Sequence, residues 1–218
     1  MKDSQIHELI EKLTAAAQAW NVPIVTEMTR RRRDPFKVLI TTVLSLRTKD
    51  ETTSAASERL YAEADTPRAM LALSAERIAE LIYPVGFYRT KAESILQICS
   101  ILLDTYGGVV PGDLDKLLEL PGVGRKTANL VVTLGYGKPG ICVDTHVHRI
   151  SNRLGYVKTK TPYKTEFALR EKLPPEYWIP INDLLVAFGQ NLCHPVSPHC
   201  SRCPVAHLCE RNGVKHSR

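Results

Sequence analysis

A chain of 218 residues is long enough to bury a core and to form one or two domains. Its composition is that of an ordinary globular protein, with no repeat or low-complexity stretch. No apolar run is long enough to span a bilayer, so no membrane association is expected. The opening Met1-Lys2-Asp3-Ser4-Gln5 lacks the apolar core and cleavage site of a signal peptide, which gives a cytoplasmic expectation. The formal net charge of +6 favours a polyanionic partner, though basic charge alone does not specify nucleic acid.

The apolar period is helical almost throughout. Ile6, Leu9, Ile10, Leu13, Ala17 and Trp20 share one face of a first helix. Asp34-Pro35 is an N-cap followed by Pro at the first helical position, and Phe36, Leu39, Ile40, Val43 and Leu44 form the apolar face behind it. Thr66-Pro67 gives the same signal for a short helix, and Ser74 caps one carrying Ile78, Leu81 and Ile82. A longer helix runs from about Thr90 to Tyr106, stopped by Gly107-Gly108. Leu114 to Leu120, Lys126 to Tyr136 and Asp144 to Leu154 follow. Then come Thr165 to Leu173, ended by Pro174-Pro175, and Ile179 to Leu192. No run alternates as a strand would. The expected class is all-α, with about ten helices joined by short loops. Trp20 and Trp178 fit a core better than a stacking surface.

The most informative segment is Leu120-Pro121-Gly122-Val123-Gly124-Arg125-Lys126-Thr127-Ala128, between two predicted helices. Pro121 ends the first. Gly122 and Gly124 permit a tight turn and leave amides uncovered at the start of the second helix, which makes an anion site. A DNA phosphate fits there without regard to sequence. The string points to a DNA-binding helix-hairpin-helix, with Gly122, Val123, Gly124 and Arg125 at the DNA. Lys126 stands where the helix dipole is positive, a field that disfavours an ammonium and suits an amine nucleophile.

Eighteen residues on comes Val143-Asp144-Thr145-His146-Val147-His148-Arg149. Asp144 is placed to cap a helix, which would also hold it fixed as a catalytic carboxylate must be held. His146 and His148, two residues apart, do not share a helix face and are expected to be structural or phosphate-facing rather than a joint metal site.

Six cysteines are present. Cys99 and Cys142 stand alone in apolar surroundings, whereas Cys193, Cys200, Cys203 and Cys209 follow C-x6-C-x2-C-x5-C. In a cytosolic chain such clustering favours a metal site over disulfides, and four thiolates hold either zinc or a [4Fe–4S] cluster. In the same tail Arg202, Arg211, Lys215 and Arg218 outnumber Glu210, which suits DNA phosphates.

Taken together, Leu120 to Ala128 and Val143-Asp144-Thr145-His146 resemble the helix-hairpin-helix DNA glycosylase superfamily. The lysine ending Gly-Val-Gly-Arg-Lys is similar to its bifunctional endonuclease III branch. The cysteine spacing is similar to that branch's [4Fe–4S] loop. The resemblance covers about residues 30 to 210. It implies a two-lobed all-α fold: a six-helix lobe over 29–138, with the hairpin at about 113–136, and a cluster lobe of 1–28 plus 139–218, with its cluster loop at 193–209. It further implies that DNA lies across the cleft between the lobes. Lys126 would be the nucleophile and Asp144 its partner. The implied activity is removal of oxidised pyrimidines from duplex DNA through a lysine Schiff base, with β-elimination at abasic sites. The chain would act as a monomer, on the nucleoid when bound. A glycosylase for thymine or uracil opposite guanine, an adenine-removing relative and a non-catalytic DNA binder are the alternatives.

Two further segments bear on substrate choice. Gly86-Phe87-Tyr88-Arg89-Thr90-Lys91-Ala92 resembles the family's intercalating loop, with Phe87 as the apolar wedge; otherwise Phe87 is a core residue at a helix start. Leu44-Ser45-Leu46-Arg47-Thr48-Lys49-Asp50 is similar to the stretch whose glutamine fills the gap left by a flipped-out base. Here Arg47 takes that place. With donors only, it would address the opposite base differently. Asp50 matches a pocket-side aspartate of the family, and capping of the following helix would explain it equally. Arg30 to Arg33 form a basic run suited to a linker or a phosphate contact.

Overall fold

The computed structural model describes residues 1–20 and 33–218, and among them every regular element is helical. Arg30, Arg31 and Arg32 of the basic run lie outside the described residues. The chain divides into two compact units, Ile24–Lys138 and Met1–Pro23 together with Pro139–Arg218.

The first unit begins with α1, Pro35–Ser45. Asp34 caps it as its sequence predicts: the carboxylate accepts from the N–H of Phe36 (3.0 Å) and Lys37 (3.1 Å), and Pro35 occupies the first turn. Helix α2, Asp50–Glu63, has no strong apolar stripe; it buries Thr53, Ala56, Ser57 and Leu60. With Leu60 the one large apolar residue among them, these side chains carry little periodic signal. The short α3, Pro67–Leu71, is capped by Thr66 and α4, Ala75–Ile82, by Ser74. Helix α5, Tyr88–Tyr106, starts two residues before the expected Thr90 and ends where Gly107 enters the left-handed region at φ 61°. The N–H of Gly108 then closes onto Leu102 at 2.7 Å. Helix α6, Leu114–Leu118, and α7, Arg125–Leu130, flank the hairpin, and Val131–Gly135 continues α7 as a wider π turn. Among the described residues this unit therefore has seven α-helical segments, the single turn of α3 included. Its core is a continuous cluster that includes Leu39, Ile40, Leu60, Ile78, Ile98 and Leu102.

The second unit has its own core, which includes Leu9, Leu13, Ile150, Leu185, Phe188 and Val205. Helix α8, Ile6–Ala17, supplies Ile6, Leu9, Ile10 and Leu13, and Trp20 stacks on Phe188 with ring centroids 6.1 Å apart. Helix α9 is Thr145–Arg153. Helix α10, Pro162–Lys172, begins three residues before the expected Thr165, because Thr161 caps it and Pro162 is its first residue. Helix α11 is Pro180–Asn191. Trp178 donates its indole N–H to the Leu173 carbonyl at 2.8 Å and lies under Arg170, so it serves packing. The cysteine tail that follows is built from two short 3₁₀ turns, Cys200–Arg202 and Ala206–Leu208. No described helix is long and apolar enough to cross a membrane.

Candidate active site and cluster loop

The hairpin between α6 and α7 is built from the residues that its sequence demands. Asp113 caps α6 by accepting from the N–H of Asp115 and Lys116, each at 3.1 Å. Gly122 sits at φ 73°, a conformation that L side chains rarely adopt. Gly124 is the N-cap of α7, with no side chain over the first-turn amides. Val123 plays a different part from its neighbours. Its side chain is buried in the core and its N–H donates to the Leu120 carbonyl at 3.1 Å, so it anchors the turn. Gly122 and Gly124 are exposed, and Arg125 and Lys126 are half-buried.

Lys126 is the second residue of α7. Asp50, the first residue of α2, comes within electrostatic reach of it. The Asp50 carboxyl is raised by the atoms packed around it, although one face remains open to solvent, and the Lys126 ammonium pulls it back down. The N-cap position of α2 belongs to Lys49, with no side-chain cap bond, so capping does not account for Asp50.

Arg47 and Phe87 also meet in this unit. Both are non-glycine residues in the left-handed region, at φ 55° and φ 60°. The Arg47 guanidinium lies over the Phe87 ring, 5.5 Å from its centroid. Phe87 is 62% exposed, so it is no core residue, despite its place at the start of α5. The sequence reading gives Lys91 no role, yet it is buried behind this pair and donates to the carbonyls of Leu44 and Leu46. The signal was legible: Lys91 lies on the same helical stripe as Ile95, Ile98 and Leu102.

In the second unit, Ile141, Cys142 and Val143 run buried into Asp144. The buried Asn182 amide donates to the Cys142 carbonyl at 3.2 Å and holds this approach. Asp144 caps α9, accepting from the N–H of His146 (2.8 Å) and Val147 (2.9 Å). The two histidine rings go to different partners. His146 Nδ1 is 3.2 Å from an Arg149 amino group, while His148 Nδ1 is 2.6 Å from the Thr165 hydroxyl. His148 also contacts Asn152, itself bonded to Thr159, which makes it part of a structural network.

Cys193, Cys200, Cys203 and Cys209 line one cavity, together with Arg153 and Val205, and none is in a disulfide. Burial first, and then the neighbouring thiols, push the Cys203 thiol up to about 11. Four thiolates therefore share this cavity only if positive metal charge compensates them. Two N–H groups already point at sulfur: Arg153 Nη1 is 3.3 Å from Cys193 Sγ, and the Arg211 backbone N–H is 3.3 Å from Cys209 Sγ. Arg149 and Arg153 further hold the carbonyls of Cys193, His194 and Pro195. The donor set and the cavity fit an iron–sulfur cluster.

Residues 40–175 match the model of the HhH-GPD superfamily of base excision DNA repair proteins. Residues 193–209, from the first of the four cysteines to the last, match the iron-sulfur binding domain of endonuclease III. Endonuclease III of Thermotoga maritima is 52% identical over 180 residues, covering 83% of this chain and 84% of that protein. The chain belongs to the endonuclease III family. Endonuclease III of Escherichia coli is 39% identical over 176 residues, with 81% and 83% covered. A solved structure of a trapped endonuclease III–DNA covalent intermediate superposes with a TM-score of 0.86 at 36% identity, over 97% of each chain. As a member of this family, the protein is a bifunctional base-excision DNA glycosylase and abasic-site lyase that binds DNA and carries a [4Fe–4S] cluster.

Proposed function

We propose that Lys126 is the nucleophile of this enzyme, that Asp144 is its essential carboxylate, and that oxidised pyrimidines in duplex DNA are its main substrates. The carrying observation is the position of Lys126 in the first turn of a helix whose glycine cap leaves amides for a phosphate. The hairpin holds the strand through its backbone, so a lysine two residues along is delivered to the sugar of a bound nucleotide.

The chemistry follows from an amine and a carboxylate. As the glycosidic bond breaks, positive charge develops on the sugar, and the base departs with the bonding pair and takes up a proton. Asp144 stabilises that charge and helps to remove a proton from Lys126. The Lys126 nitrogen bonds to C1′, and ring opening gives a Schiff base. Its iminium acidifies the C2′ proton. Loss of that proton breaks the C3′–O bond and releases the 5′-phosphate end of the downstream strand. Water then hydrolyses the imine and frees the lysine. Cys193, Cys200, Cys203 and Cys209 hold the cluster, whose contribution to these steps is to order the basic tail. One copy suffices, since the nucleophile and carboxylate belong to the same chain, and we infer a monomer.

Borohydride reduction during reaction tests the assignment. The wild type should yield a covalent DNA adduct on both a thymine glycol duplex and an abasic duplex, and Lys126→Gln should yield none. Adducts that persist in Lys126→Gln would remove Lys126 from the mechanism. A panel of lesions, each against four opposing bases, tests the substrate class. Preferential release of thymine or uracil opposite guanine, or of adenine, would replace oxidised pyrimidines as the substrate.

A further inference from the structure

Two exposed turns of the first unit, one carrying Arg47 and the other Phe87, are joined by a buried charge. Lys91 lies in the first turn of α5 and is 7% exposed. Its ammonium donates to the Leu44 carbonyl at 2.8 Å and to the Leu46 carbonyl at 2.6 Å, and lies 3.4 Å from the Thr48 hydroxyl. Those carbonyls belong to the C-terminal end of α1, where backbone acceptors have no helical donor and the dipole favours a cation. Thr48 completes the link, because its hydroxyl accepts from the Gly86 N–H at 3.1 Å. The turns touch so closely that a Cβ on Gly86 would stand 2.8 Å from the Arg47 carbonyl oxygen.

We propose that Lys91 is a positioning residue that bolts the Arg47 turn to the Phe87 turn, so that the two side chains stand as one preformed wedge for the gap beside an everted nucleotide. This rests on the assignment of Arg47 and Phe87 as DNA contacts. Three observations carry it. Both wedge residues are held at positive φ, which persists only where the surroundings over-determine the backbone. The guanidinium already rests on the ring before any DNA arrives. The hydrogen-bond partners of the ammonium are neutral, so its burial is not offset by an ion pair, and burial lowers its pKa to about 8. An apolar side chain would fill the same space at less desolvation cost but would leave the two carbonyls unpaired and the turns unlinked. A wedge ordered in advance avoids the cost of freezing two long side chains on binding.

The test is a fluorescence titration with a duplex carrying 2-aminopurine opposite a tetrahydrofuran abasic analogue. Arg47→Ala and Phe87→Ala should each raise Kd about tenfold and reduce the emission change of the opposing base. Lys91→Met should do the same, and Lys91→Met/Arg47→Ala should be no worse than either single variant, since both act on one device. A loss of stability alone would not change the emission of the opposing base. Gly86→Ala, which forces the turns apart while leaving Lys91 in place, should reproduce the effect and stands in if Lys91→Met does not fold. Losses that add in the double variant would overturn the proposal, as would wild-type emission in Lys91→Met or Gly86→Ala alongside a defect in Arg47→Ala. Wild-type behaviour of both Arg47→Ala and Phe87→Ala would instead overturn the DNA-contact assignment beneath it, and the wedge with it.

Discussion

Asp144 illustrates how one side chain serves structure and chemistry at once. Its carboxylate accepts two backbone N–H groups at the start of α9, which helps to fix its orientation. Asparagine caps nearly as well but carries no charge. Asp144→Asn should therefore unfold within about 0.5 kcal/mol of the wild type while losing about a hundredfold or more in base release. Equal losses of stability and rate would show that the carboxylate acts through the fold alone. Lys91 gives a prediction in pH. Burial depresses its pKa from the ordinary 10.5 to about 8 in the folded protein, so across that window the unfolded chain binds more protons. Below about pH 8 the penalty of the buried ammonium is fully present. It is relieved as the pH rises from 8 to 10.5, and over that range the wild type should gain stability relative to Lys91→Met. Urea midpoints for the two proteins at a series of pH values check this; a constant difference between them through the window would refute it.

The hairpin is the element in which sequence and structure correspond most directly. Val123 turns inward as an anchor, Gly122 accepts a left-handed backbone and Gly124 caps α7 with no side chain in the way. Each of these is a local requirement, and each residue type satisfies it. Gly122→Ala keeps the chemistry of the hairpin but places a Cβ at φ 73°, with only Ser94 nearby. The expected cost is therefore backbone strain rather than a clash, about 1 kcal/mol in chemical unfolding. DNA binding should weaken with little change in its salt dependence, since no cationic side chain has been removed. A changed salt slope would mean that the turn had moved charged neighbours such as Arg125. Helix α2 is the opposite case: apart from Leu60 its buried residues are small or polar, so its face comes from what packs on it rather than from a stripe of large apolar groups.

Each of the two units has a core of its own, and only one contains the cysteine tail. That tail has little regular structure beyond two 3₁₀ turns, and it is held to α9 by Arg149 and Arg153. The cluster should therefore govern the stability of Met1–Pro23 with Pro139–Arg218 far more than that of Ile24–Lys138. Cys200→Ser is expected to remove the brown absorbance and to lower the melting of the cluster-bearing unit, leaving a later transition from the other. A colourless wild type loaded with zinc would refute the cluster assignment. A single transition shifted as a whole would show that the units melt together.

The sequence by itself determined every long helix except α2, most of the caps, the hairpin with Lys126, the aspartate that opens α9 and the four cysteines. These are local matters: a period, a cap or a ligand spacing is set by residues a few positions apart. The tertiary structure alone decided that Arg47 rests on Phe87, that Asp50 comes within reach of Lys126 and that Arg153 turns to the Cys193 sulfur. It also decided that Lys91, a charged residue on an apolar stripe, faces the end of another helix. Those pairs are separated by tens of residues, and no local periodicity encodes which distant carbonyl, ring or thiol a side chain meets. Packing of the helices against one another brings them together, and it does so only when the core is complete.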